Sequence, residues 1–146
     1  MKNTLTKSYS AFFLLLLSVV FLAGCSMKLV ANYDPQSLTQ LEIINKEIDF
    51  MYLKMKTLPE NQRIYSSFQQ DYLKIDVDIR AYERRQQLRE QNEESVKQAA
   101  ILASLWQQDM QTHKQKNTIS DFMIKRRQGQ YQRLISSMLE AEIAKQ

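Results

Sequence analysis

Apolar side chains recur along most of this chain at alternating spacings of three and four. The first run is Leu41, Ile44, Ile48, Met51, Met55 and Leu58, which lays one greasy stripe along a helix. Asp34-Pro35 offers its start, because a first-turn proline loses no hydrogen bond and aspartate can cap free N–H groups. Ser37-Leu38-Thr39-Gln40 also fits a capping box, and Leu58-Pro59 marks the end. The second run is Tyr65, Phe68, Tyr72, Ile75, Ile79 and Tyr82, followed by a polar stretch from Arg84 to Glu94. Asn92 is the expected break, with Glu93 and Glu94 in the next first turn, where negative charge suits the helix dipole. Val96, Ala99, Ala103, Trp106, Met110 and His113 form the third stripe. A loop from Lys114 to Asn117 leads to Thr118, whose spacing to Asp121 suggests a cap. The fourth stripe is Ile119, Phe122, Met123, Tyr131, Leu134, Met138 and Ala141, with Gly129 inside as an expected kink.

Four such stretches joined by short links predict an all-α domain over residues 34–146, an antiparallel four-helix bundle roughly 35 to 43 Å long. Composition points the same way. The chain has 2 glycines and 2 prolines, so the turn chemistry that hairpins and sheets need is nearly absent. Glu, Gln, Lys, Arg, Leu, Met and Ala, all good helix formers, are plentiful.

The residues before the bundle follow another pattern. Lys2 and Lys7 make a basic start, Ala11 to Phe21 is apolar, and Leu22-Ala23-Gly24 precedes Cys25, the 1 cysteine of the chain. That order reads as a secretory leader. Its apolar core of about 13 residues spans roughly 20 Å as a helix, short against a hydrocarbon layer of about 30 Å. Leu22-Ala23-Gly24-Cys25 resembles the lipobox that ends the signal peptides of bacterial lipoproteins. The resemblance implies cleavage between Gly24 and Cys25 after the Cys25 thiol has received a diacylglyceryl group, with recognition by Leu22, Ala23, Gly24 and Cys25. A lone thiol is then a lipid attachment point rather than a disulfide partner. Ser26, where an aspartate commonly means inner-membrane retention, implies sorting to the outer membrane, with the periplasmic side favoured and the inner membrane as the alternative. Residues 1–24 are thus expected to be a signal peptide, 25–33 a lipidated tether and 34–146 the bundle. "YDPQSLTQL" and "NEESVKQ" are also similar to stretches of small helical bacterial lipoproteins, a resemblance that brings no activity with it.

Charge narrows the functional classes. Of 20 Lys and Arg the leader holds two, and of 16 Asp and Glu none, so the mature part carries 18 against 16, a net +2. That balance is too even for a nucleic-acid binder, which shows a concentrated basic footprint. The uneven feature is local: Lys125, Arg126, Arg127 and Arg133 form a possible contact patch for anionic lipid, cell-wall polymer or an acidic partner.

Catalytic and metal motifs are not evident. Asp76 and Asp78 are two apart and face different ways on a helix, as are Glu140 and Glu142. His113 has Asp109 one turn before it, but the Glu-x-x-His pairs of a di-iron bundle are missing, since residue 110 is Met110. The aromatic row Tyr65, Phe68, Tyr72 and Tyr82 reads as core, with hydroxyls reaching water. No catalytic residue, metal or cofactor is therefore expected. The sequence favours a membrane-anchored, non-enzymatic interaction or structural lipoprotein that meets another envelope protein or a cell-wall component. Two alternatives stay open: an envelope-protective or exclusion factor against phage, plasmid or hydrolase, and a small-molecule or haem carrier.

Overall fold

A computed structural model describes residues 30–146, which fold into four helices: α1 (Pro35–Lys56), α2 (Tyr65–Gln87), α3 (Glu93–Lys116) and α4 (Asp121–Ile143). A single 3₁₀ turn, Glu60–Gln62, sits between α1 and α2. No strand occurs among the described residues. Neighbours run antiparallel, as side-chain pairs at the helix ends show. Asp34 at the start of α1 meets Arg85 at the end of α2 and Glu142 at the end of α4. Tyr65 at the start of α2 meets Asn117 just past the end of α3. The result is an up-down-up-down bundle. Asn32, Arg89 and Glu142 lie at one end, called here the tether end, and Arg63, His113 and Ile119 at the far end.

The helix boundaries have local causes. Asp34 caps α1 by accepting from the Gln36 N–H at 3.1 Å, and Pro35 occupies the first turn. Asn117 ends α3 in the left-handed region, φ 57°, a conformation asparagine tolerates better than most residues. The α4 cap is Ser120, whose hydroxyl accepts from the Met123 N–H at 3.3 Å. Thr118, the cap expected from sequence, lies in the loop instead. Asn92 opens α3 without a capping bond from its side chain, which donates to Gln86.

The core follows the first two stripes almost residue for residue. Leu41, Ile44, Ile48, Met51 and Met55 from α1, and Phe68, Tyr72, Ile75, Ile79 and Tyr82 from α2, are all buried. On α3 the buried apolar set is Ala99, Leu102 and Trp106. Each large apolar side chain so covered contributes about 1.5–3 kcal/mol. Trp106 sits at the centre, with its indole N–H donating to the Tyr72 carbonyl at 3.2 Å. Its ring centroid is 5.2 Å from that of Tyr72 and 5.7 Å from that of Tyr131.

The fourth stripe differs from expectation. Phe122 is 71% exposed, and Ile124, Tyr131, Ile135 and Met138 face the core. Between Ile124 and Tyr131 no apolar side chain occurs, so apolar spacing alone could not carry the phase across. The true phase also turns Arg127 and Glu142 inward. Nor does Gly129 kink α4, which runs through it as one continuous helix.

Candidate functional site

Leu22, Ala23, Gly24 and Cys25, which resemble a lipobox, and Ser26, the expected sorting residue, lie outside the described residues. What the structure does show is how the chain that follows them enters the bundle. The Ala31 N–H donates to the Gln91 carbonyl at 2.9 Å, and Arg89 Nη2 donates to the Asn32 carbonyl. Asp34 receives Arg85 Nε at 2.6 Å. The residues that lead into α1 are therefore fastened onto the end of α2 and the turn between α2 and α3.

Of the expected basic patch, Lys125, Arg126 and Arg133 are exposed on α4. Arg127 is not part of that surface. Its side chain is 17% exposed and its Nε lies 2.6 Å from Oδ1 of the buried Asp109. The surface bases that do gather are Lys114 and Lys116 at the end of α3 and Lys125 and Arg126 near the start of α4, all exposed at the far end. None of the four pairs with a described carboxylate, so their charge is available to solvent.

Asp109 is the centre of a polar cluster inside the bundle. Its Oδ2 accepts from Tyr131 Oη at 2.7 Å and from Tyr52 Oη at 3.3 Å. Its Oδ1 faces Arg127 as an ion pair, at an angle that makes no hydrogen bond. Burial pushes the Asp109 carboxyl above the ordinary carboxylate range, against Tyr131, Arg127 and Tyr52, which pull it down. Burial likewise drives the Tyr52 and Tyr131 hydroxyls well above their usual range, so both remain donors at any physiological pH.

His113 is held from both sides. Its Nε2 is 2.8 Å from the Arg63 carbonyl, which can only accept, so that nitrogen carries the proton. Nδ1 then accepts from Tyr72 Oη at 3.1 Å. The Tyr72 hydroxyl thus ends inside the bundle on His113, not in water as its stripe position suggested. Burial lowers the His113 pKa, partly opposed by the bond to Arg63, and keeps the ring neutral. Arg63, 4% exposed, is the keystone of this end. Its Nε donates to the Met55 and Leu58 carbonyls, its Nη1 to the Ile119 carbonyl, and its Nη2 pairs with Asp121 at 2.8 Å. One guanidinium so ties the end of α1, both far-end loops and the first turn of α4.

The tether end carries a second polar cluster around Glu142, which is 2% exposed. Glu142 receives Arg89 at 2.8 Å and 3.0 Å, Lys145 at 2.7 Å and the Asp34 backbone N–H at 2.7 Å. Burial pushes its carboxyl up, and Arg89, Lys145 and Asp34 pull it down further, for a net lowering. Glu140, two residues earlier, is exposed.

These groups can hold helices together. A cavity of about 210 Å³ between α3 and α4 reaches Asp109, His113 and Arg127 and is rimmed by Glu60, Lys116 and Ser120. The buried charges beside it already face each other, and both His113 nitrogens are engaged, so haem or metal ligation at His113 would first have to break its bond to Tyr72. No group of three or more His, Cys, Asp and Glu with metal-holding geometry occurs among the described residues. None of the described helices is long and apolar enough to cross a membrane. Sequence reasoning missed Arg63 and Glu142, and it took Asp109 only as a partner for His113. Asp109 and Glu142 had one signal, a charged residue on an otherwise buried helix face; Arg63, in the loop before α2, had none. Compared with family models, with curated proteins and with solved structures, the chain matches none.

Proposed function

We propose that this protein is a lipoprotein of the bacterial envelope, held by acyl chains on Cys25, that works as a non-enzymatic interaction module. The observation that carries this reading is the fastening of Ala31, Asn32 and Asp34 onto the bundle a few residues after the lipobox cysteine. A lipid anchor on Cys25 then holds a rigid body at short range instead of letting it drift on a long leash. Two acyl chains suffice for stable anchoring, and no membrane-spanning helix is needed. The polar residues inside the bundle are spent on one another, which supports a structural rather than a catalytic role. Lys114, Lys116, Lys125 and Arg126 occupy the end away from the tether, so the contact they favour is an anionic component of the envelope beyond the anchoring membrane.

The test has two parts. Cells fed a clickable palmitate should label the native protein, and Cys25→Ser should abolish both the label and the membrane fractionation. A native protein that stays unlabelled overturns the anchor. A photo-crosslinker at Lys125 should then capture one defined partner, lost when Lys114, Lys116, Lys125 and Arg126 are changed to glutamine. Capture of abundant bystanders alone, unchanged by those substitutions, overturns the contact surface.

A further inference from the structure

Leu88, just past the last turn of α2, is 86% exposed, more than any other large apolar side chain described. It lies at the tether end, beside Arg89, which binds Asn32 and Glu142. Val30, 53% exposed, and Ile143, 48% exposed, occupy the same end. Single exposed apolar residues are ordinary on a protein surface. What distinguishes these three is where the chain comes from. Val30 lies five residues after Cys25, and an extended chain advances about 3.3–3.6 Å per residue, so this end can stand no more than about 18 Å from Cys25.

We infer that the tether end is a membrane-docking surface: Leu88, Val30 and Ile143 seat in the headgroup region of a phospholipid bilayer, and the bundle stands upright on it. This inference rests on the lipid anchor proposed above. The occupant is a zwitterionic rather than an anionic surface, because the exposed charges nearest Leu88 in the chain, Arg84 against Glu90, Glu93 and Glu94, are acidic on balance and give anionic headgroups no net attraction. The competing apolar face is the outer side of α1 and α2, where Phe50 is 66% exposed and Val77 61%. Phe50 is flanked there by the Glu47–Lys74 and Lys54–Asp71 ion pairs, and laying that face on lipid would strip their water. An upright stance places the far-end lysines roughly a helix length, about 35 Å, above the surface.

On the proposed reading the mature protein is residues 25–146, and that is the form tested. That segment is coupled through the Cys25 thiol to a maleimide-bearing lipid in phosphatidylcholine vesicles, and amide hydrogen exchange is compared with that of thiol-capped protein in solution. Exchange across residues 86–92 should slow at least several-fold on the vesicles, with residues 114–120 unchanged. Leu88→Ser, a change at an exposed site that leaves folding intact, should remove most of that protection. Added phosphatidylglycerol should not increase it. Equal exchange with and without vesicles, protection over residues 43–53 instead, or protection indifferent to Leu88→Ser would each overturn the docking surface. Because the coupling is chemical, these outcomes do not depend on lipidation in cells, which the palmitate experiment decides separately.

Discussion

The two ends of the bundle solve the same problem with different materials. At the tether end, charge is spread over several long side chains: Arg85, Arg89 and Lys145 share Asp34 and Glu142. At the far end one side chain, Arg63, does most of the joining, and it reaches mostly backbone carbonyls. The difference lies in what happens when a part is lost. A freed Arg89 or Lys145 can swing its flexible stem into water, because both lie at the edge of the fold. Carbonyls at the end of α1 and beside Ile119 cannot move without unwinding the segments that carry them, and a buried acceptor left without a donor costs about 1–3 kcal/mol. The far end therefore hangs on fewer and less replaceable contacts.

Arg63→Met is accordingly expected to have the largest effect. It strips the donors from three backbone carbonyls, and at about 1–3 kcal/mol for each acceptor left buried the loss is about 3–5 kcal/mol; Asp121, 80% exposed, returns to water at little cost. Glu142→Gln keeps the shape and one acceptor oxygen of the tether-end cluster, turns the other into an amide donor facing donors, and should cost about 1.5–3 kcal/mol. Urea unfolding followed by circular dichroism measures both. If the two losses are equal, or Glu142→Gln is the worse, the contrast between the ends is wrong.

That contrast also explains how much of the molecule its sequence disclosed. The stripes of α1 and α2 were legible because their inward residues are apolar at helical spacing, Leu41 to Met55 and Phe68 to Tyr82. The Asp34-Pro35 start and the Glu93-Glu94 first turn were legible from capping and dipole chemistry. On α4 the inward face includes Arg127 and Glu142. A charge is read as outward until its partner on another helix is known, so the phase slipped and Phe122 was placed inside. Arg127 was likewise counted in a surface patch because nothing within its own helix announces Asp109 eighteen residues earlier. Local chemistry was readable; pairing across helices was not.

The ends should also part company in acid. His113 at the far end has its pKa lowered from 6.5 by burial, so as pH falls through that value the unfolded chain takes up a proton that the folded one resists. Stability is lost over that window. Asp109 moves the opposite way: its raised pKa means that protonation relieves the buried charge, which returns part of the loss at lower pH. Asp34 is lowered from 3.8, chiefly by its bond to Arg85, and Glu142 from 4.5, so the tether end begins to weaken only as pH falls into the ordinary carboxylate range and goes on weakening below it. Between about pH 7 and pH 5, opening should begin at the far end, read as faster amide exchange around residues 113–120 than around 86–92 after correction for intrinsic rates. His113→Gln should flatten the pH dependence in that interval. An unchanged slope in that variant would show that another group carries it.

The smallest expected effect tests the middle of α4, between the two ends. Glycine in a helix interior costs roughly 0.5–1 kcal/mol relative to alanine. A Cβ added at Gly129 would meet only the guanidinium tip of Arg133, at 3.4 Å, and the tip of an exposed arginine yields easily. Gly129→Ala should therefore raise stability by up to about 1 kcal/mol, and more of that gain should appear at the far end if α4 transmits its rigidity there. Thermal melting gives the total, and exchange at residues 113–124 gives the local share. A loss of stability would mean that Arg133 is held over Gly129 for a reason the packing of α4 does not supply, and would turn attention to that arginine as part of a contact surface.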